Sequence, residues 1–181
     1  MRLRNDRNRF GVVAVGLHWL VALVVAGQFA LGLWMGELDY YDAWYRLGPW
    51  WHKGIGVILF AVVVLRLLWR LGNPRPAELP THKPYERRLA GLIHGLLYLL
   101  LLMVMLSGYL ISTADGRSLE VFDWFSIPAS LSGIEHQEDI AGEVHEFLAW
   151  SLLSLAGLHA LAALKHHFID RDRTLMRMLG R

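Results

Sequence analysis

Nine histidines carry most of the chemistry open to this 181-residue chain, at positions 18, 52, 82, 94, 136, 145, 159, 166 and 167. No cysteine accompanies them, which excludes disulfides, thiolate metal sites, iron–sulfur clusters and Cys-x-x-Cys-His haem attachment. Four of the nine form a pattern. His145 and His159 stand 14 residues apart, so at about 100° per residue they share one helix face, separated by roughly 21 Å of rise. That is most of a hydrocarbon core of about 30 Å, with one imidazole near each leaflet. His52 can meet His145 at one level, and His18 can meet His159 at the other. Two imidazoles per level suit the two axial positions of a haem iron, whereas a bare metal ion wants three or four ligands at one depth. Ala14 and Ala22 flank His18, Gly54 and Gly56 follow His52, Ala149 follows His145, and Ala156 and Ala163 bracket His159. Such residues leave room for a flat macrocycle. Small residues also mark close helix contact in membranes, so the paired histidines carry the reading.

The elements that must hold these residues are apolar. Hydrophobic residues make up 55% of the chain, with eight tryptophans and only 19% charged residues, and the mean hydropathy is +0.34. Four stretches are long enough to cross a bilayer, at 10–35, 51–68, 89–112 and 140–166. The expectation is an all-α membrane protein, a bundle of four transmembrane helices forming one domain over residues 1–181. The first stretch follows four arginines but exceeds a signal peptide's apolar core, and reads as a retained span. Residues 69–88 carry Pro74, Pro76, Pro80 and Pro84, which should stop helix and favour an extended connection. Residues 113–139 form an acidic loop expected to cap the bundle with a short surface helix.

Charge sets the orientation. The N-terminal arm, the 66–88 connection and the segment from Lys165 onward hold 15 of the 18 lysines and arginines; Arg46, Lys53 and Arg117 lie on the other side with eleven acids. By the positive-inside rule both termini are cytoplasmic, N-in and C-in. An even number of spans requires the termini to share a side.

Histidines within a span are costly and usually functional. His94 opens the third span as a rival to His18, or as a contact to cofactor or quinone. Arg66 stands 14 residues after His52 and so faces the same way at the inner level, where it can pair with a haem propionate or snorkel to the interface. Lys53 is a further cofactor-binding candidate beside His52. Lys165, His166 and His167 belong at the inner surface, as anchors or as proton donors to a quinone. His82 and His136 are loop residues with no evident partner.

Gly-Leu-His-Trp-Leu at 16–20, Trp-His-Lys-Gly-Ile-Gly at 51–56, Val-His-Glu at 144–146, Gly-Leu-His-Ala-Leu at 157–161 and Asp-Arg-Thr-Leu-Met-Arg-Met at 172–178 resemble the bacterial cytochrome b561 family. The likeness runs in order through nearly the whole chain, and Gly-Tyr-Leu-Ile-Ser-Thr-Ala-Asp-Gly at 108–116 marks one branch of it. It implies two non-covalent b haems, with His18 and His159 matching the ligands of the cytoplasmic haem and His52 and His145 those of the periplasmic one. It also implies a multi-pass protein of the bacterial inner membrane that carries electrons between a periplasmic redox donor and a ubiquinone-like quinone. Membrane lipid is then the surrounding medium, and no nucleic-acid partner is expected. Bis-histidine ligation leaves no open axial site and favours electron transfer over dioxygen binding. One family activity is superoxide:quinone oxidoreduction, which would want a basic outer mouth; the acidic outer loops here depart from that. Service as the membrane anchor of a larger dehydrogenase is the other alternative.

Overall fold

The computed structural model describes residues 2–180; Arg181, one of the basic residues counted for orientation, lies outside the described residues. Helix α1 runs Val12–Gly36, α2 Trp44–Leu71, α3 Pro84–Ser112 and α4 Gln137–Phe168; strands β1 (Leu119–Val121) and β2 (Phe125–Ile127) sit between α3 and α4, and a short α5 covers Thr174–Met178. All four long helices are long and apolar enough to cross a membrane. Only 6–17% of each helix's most apolar stretch is buried within the protein. The rest, including Leu23, Leu99, Leu158 and Leu161, points outward, as expected where lipid rather than protein covers the side chains.

Helices α1 and α2 pack as one antiparallel pair and α3 and α4 as another, joined along α2 and α3. Val21, Leu59, Val63, Leu101 and Leu152 form the buried centre. Leu152 falls midway between His145 and His159 on α4, and Leu59 lies one heptad after His52, so this apolar layer separates the two histidine levels.

Two helix starts differ most from those expected. Helix α2 begins seven residues early and contains Pro49. Pro49 is the sixth residue of the helix and cannot donate to the Tyr45 carbonyl one turn back, so one helix bond is lost near the start, while the aromatic turn of Trp44, Tyr45, Trp50 and Trp51 suits a membrane interface. Pro84 does not end structure but begins α3 at its first position, where its fixed φ is preorganised for helix. The Glu86 carboxylate accepts the Lys83 backbone N–H at 2.9 Å across the same start.

The 113–139 loop does cap one end of the bundle, but with a β-hairpin where a surface helix was expected. Leu119 and Val121 are buried while Glu120 is exposed, and this alternation is the period of a strand. The hairpin pairs Leu119 with Ile127 and Val121 with Phe125. Phe122 and Asp123 both adopt left-handed backbone (φ 50° and 58°), and Trp124 N–H closes the turn on Val121 O at 2.9 Å. Two successive left-handed residues match the twist of a tight hairpin, although phenylalanine rarely accepts that conformation. Its ring is what holds it. Phe122 stacks edge-on against Trp50 and Trp51 and lies directly on Gly54, where an added Cβ would come within 2.5 Å of the ring. Gly54 therefore makes room for a loop aromatic rather than for a macrocycle. Tyr109 and Gln137 fasten the rest: Tyr109 Oη donates to Pro128 O at 2.8 Å, and the Gln137 amide donates to Leu110 O and Leu131 O.

The opposite end carries both termini. Arg177 donates to Asn8 O and Ala77 O, and Trp19 Nε1 donates to Met178 O at 2.7 Å, tying the N-terminal arm, the 72–83 connection and α5 together.

Candidate functional site

The fold brings His52 of α2 and His145 of α4 together at the loop end, with ring centres 6.1 Å apart. At the terminal end His18 of α1 and His159 of α4 have ring centres 6.4 Å apart. An imidazole nitrogen sits about 2.0–2.1 Å from a first-row metal such as zinc, and the same bond on either side of an iron puts the ring centres roughly 6.3 Å apart. Both pairs fit that span. His94 of α3 also reaches His159, with ring centres 5.1 Å apart, which is short for two rings on opposite sides of one metal. All five of these histidines are half-buried.

At the loop end a cavity of about 680 Å³ opens between the helices, lined by His52, His145, Gln28, Gly56, Gly108 and Ala149 among others. Its size lies within the usual range of cofactor sites. His145 Nδ1 lies 2.8 Å from Val104 O. A carbonyl can only accept, so this nitrogen carries the proton and Nε2 keeps its lone pair. Ser107 Oγ, which itself donates to Val104 O at 2.9 Å, lies 3.1 Å from the same Nδ1. Such a partner on the second nitrogen is what fixes the tautomer of a metal-binding imidazole. Gly108 lets α3 pass close to the ring, since a Cβ there would meet His145 Cε1 at 3.1 Å. Across the cavity His52 Nδ1 is buried without a hydrogen-bond partner, and Gln28 Nε2 donates to His52 O at 2.7 Å. The cavity, the lone nitrogen and the oriented His145 fit a bis-imidazole haem.

The terminal end is charged. Arg66 Nη2 lies 2.8 Å from His18 Nδ1. Arginine only donates, so Nδ1 accepts and a neutral His18 carries its proton on Nε2, opposite to His145. For His18 Nε2 to serve as a ligand, that proton must move. A released Arg66 would be free for an anionic group. Arg66 and Arg70 both stack on the Tyr98 ring, at 5.4 and 5.6 Å.

The remaining candidates fall in several places. Lys53 lines the loop-end cavity, with Arg117, Asp115 and Glu138. Arg117 bonds to Asp115 through Nε at 2.6 Å, and this bond holds the Asp115 carboxyl below its usual range. Lys165 and His166 are not free anchors: Lys165 Nζ binds Asp170 at 2.6 Å and Glu86 at 3.2 Å, while His166 Nδ1 faces Asp170 and Asp172. His167 Nδ1 is buried without a hydrogen-bond partner. His82 does have partners, with Nε2 3.1 Å from Asp172 Oδ2 and 2.9 Å from Thr174 Oγ1; they are some ninety residues away in sequence, which hid them. Exposed His136 faces Glu135 and Asp139, at 3.6 and 3.7 Å. Sequence reasoning passed over Gln28, Ser107 and Gly108 as site residues. A lone amide inside an apolar span was the available signal for Gln28, and Gly108 heads the 108–116 motif.

A family model described as prokaryotic cytochrome b561 matches residues 9–181. Cytochrome b561 homolog 2 of Escherichia coli K12 is 50% identical over 181 residues, covering all of this chain and 96% of that one. Cytochrome b561 homolog 1 of the same strain is 28% identical over 174 residues, covering 96% of this chain and 98% of its own length. A Yersinia pestis protein named "Probable superoxide oxidase CybB" is 28% identical over 172 residues, covering 94% and 96% of the two chains.

Proposed function

The chain belongs to the prokaryotic cytochrome b561 family, and we propose that it carries electrons across the bacterial inner membrane through two b haems in exchange with the quinone pool. Membrane electron transport and haem b come with the family. Two haems, quinone coupling and orientation are the finer reading. One observation carries it: α4 bears a histidine at each of two levels, each facing a histidine from another helix with ring centres near 6 Å apart. A b haem held by His52 and His145, or by His18 and His159, would supply a one-electron couple there.

The chain's own residues do the rest. Val104 O and Ser107 hold the His145 ring in the tautomer that exposes Nε2. Val21, Leu59, Val63, Leu101 and Leu152 form a buried apolar layer between the two levels, which disfavours protons and water while leaving electrons a path. His94 and Arg66 bring titratable and cationic groups beside His18 and His159. They are the proposed contact for quinone at the terminal end, where protons must accompany electrons. The basic terminal end faces the cytoplasm by the positive-inside rule, leaving the loop end to a periplasmic donor.

Superoxide oxidation is the weaker reading. Lys53 and Arg117 line the loop-end cavity, but so do Asp115 and Glu138, two formal charges against two. The mouth then offers no net positive field to steer an anion. Reduced-minus-oxidised spectra of the purified protein, with haem counted per chain and reoxidation by a quinone analogue followed by stopped flow, test the proposal. Two haems per chain and fast quinone reoxidation are expected. A single haem, or reoxidation no faster than in a quinone-free control, sinks it.

A further inference from the structure

A second group of potential ligands lies at the terminal end, outside both histidine pairs. His82 comes from the connection between α2 and α3, His166 from the last turn of α4, and Asp172 from the turn before α5. One ligand atom from each lies within 4.8 Å of the other two. Asp172 Oδ2 is 3.1 Å from His82 Nε2 and 3.2 Å from His166 Nδ1. Metal–ligand bonds of about 2.0–2.2 Å place neighbouring ligand atoms roughly 2.9–3.5 Å apart, depending on coordination number. Both distances fall in that range.

Hydrogen bonding does not account fully for the arrangement. His166 Nδ1 sits 2.8 Å from Asp170 Oδ2 and 3.2 Å from Asp172 Oδ2, yet it is buried and makes no properly directed hydrogen bond. A nitrogen crowded by two carboxylates without aiming a proton at either is placed as a ligand of a shared centre would be. The supporting groups are also in place. Asp172 Oδ1 accepts the Thr174 N–H at 2.8 Å, which leaves Oδ2 facing the histidines. Arg171 takes a left-handed backbone (φ 55°) and Asp172 N–H returns to His166 O at 3.0 Å, folding the chain back under His166. Side-chain exposure is 19% for His82, 15% for His166 and 3% for Asp172, so a bound ion would be largely screened from water. Lys165 Nζ already engages both Asp170 and Glu86, which leaves Asp172 as the carboxylate here that no lysine holds.

We propose that His82, His166 and Asp172 form a divalent-metal site of the zinc class. Two imidazoles and one carboxylate are the donors such an ion prefers over magnesium or calcium, with water completing the shell. The ion would pin the 72–83 connection to the ends of α4 and α5. The haem-loaded, full-length protein, stripped with a chelator, is titrated with zinc chloride alone against a chromophoric competitor, and its thermal unfolding is followed in parallel. One tightly held zinc per chain and a raised Tm are expected. His82→Gln and Asp172→Asn should each weaken that binding at least about 100-fold, since changes even beyond the ligands cost 10–100-fold. Haem absorbance should stay unchanged. Asp172→Asn keeps an oxygen for the Thr174 amide, so it decides the matter if His82→Gln folds poorly. Zinc binding of equal strength in native protein and Asp172→Asn, no saturable binding by native protein, or equal affinity for magnesium would each overturn the proposal.

Discussion

The two ends of the bundle hold their histidine pairs by different means. At the loop end the support is neutral and geometric: a backbone carbonyl and a serine orient His145, two glycines admit neighbouring groups, and a hairpin aromatic closes the roof. At the terminal end it is ionic: Arg66 engages His18, His94 crowds His159, and Lys165, Asp170, Glu86, His166, Asp172 and His82 form a charged rim. A neutral support fixes one tautomer and one ring position. A charged support can exchange partners, and that would suit the quinone contact proposed for this end.

Deleting one proposed haem ligand at a time is expected to have the largest effect. His52→Ala or His145→Ala is expected to remove about half of the haem, and His18→Ala or His159→Ala the other half, measured as haem per folded chain. The two halves should differ in spectrum or potential because their surroundings differ. If His52→Ala and His18→Ala remove the same spectral component, the two-level arrangement is wrong.

Gly54→Ala tests the roof of the loop end. Its Cβ would fall 2.5 Å from the Phe122 ring, and overpacking of this kind costs about 1–3 kcal/mol. A lowered Tm with loosened loop-end haem is expected, while the terminal-end component stays intact. An unchanged Tm would mean that the hairpin is not seated on α2.

Ser107→Ala should act more gently. His145 Nδ1 keeps its bond to Val104 O, so the loss is about 0.5–1.5 kcal/mol, read as a small shift in loop-end potential or Tm. A complete loss of the loop-end haem would show that the serine, not the carbonyl, orients the ring.

The smallest effect on haem content is expected from His94→Ala, which should keep both haems because its 5.1 Å approach to His159 is too short for a trans partner. Its effect should fall on quinone reoxidation instead. Loss of a haem in His94→Ala but not in His18→Ala would exchange their roles.

Much of the molecule could be read from one dimension. Span count and apolar faces follow from local composition, because a helix in lipid must satisfy its own backbone and needs no partner for its side chains. The same-face placement of His145 and His159 follows from the fixed pitch of a helix. What could not be read depends on where the helices and loops come together. The alternation Leu119–Glu120–Val121 was too short to outweigh helix in a capping loop, and only the stack of Phe122 on Gly54 and Trp50 makes the hairpin hold. His82 showed no partner because Asp172 and Thr174 reach it from the far end of the chain. How far His18 and His94 each stand from His159 was a question of rotation and helix spacing, and the packing of α1, α3 and α4 sets those distances at 6.4 and 5.1 Å. Periodicity sets which residues share a face, but the direction of that face and the tautomer of each ring depend on neighbours that periodicity does not name.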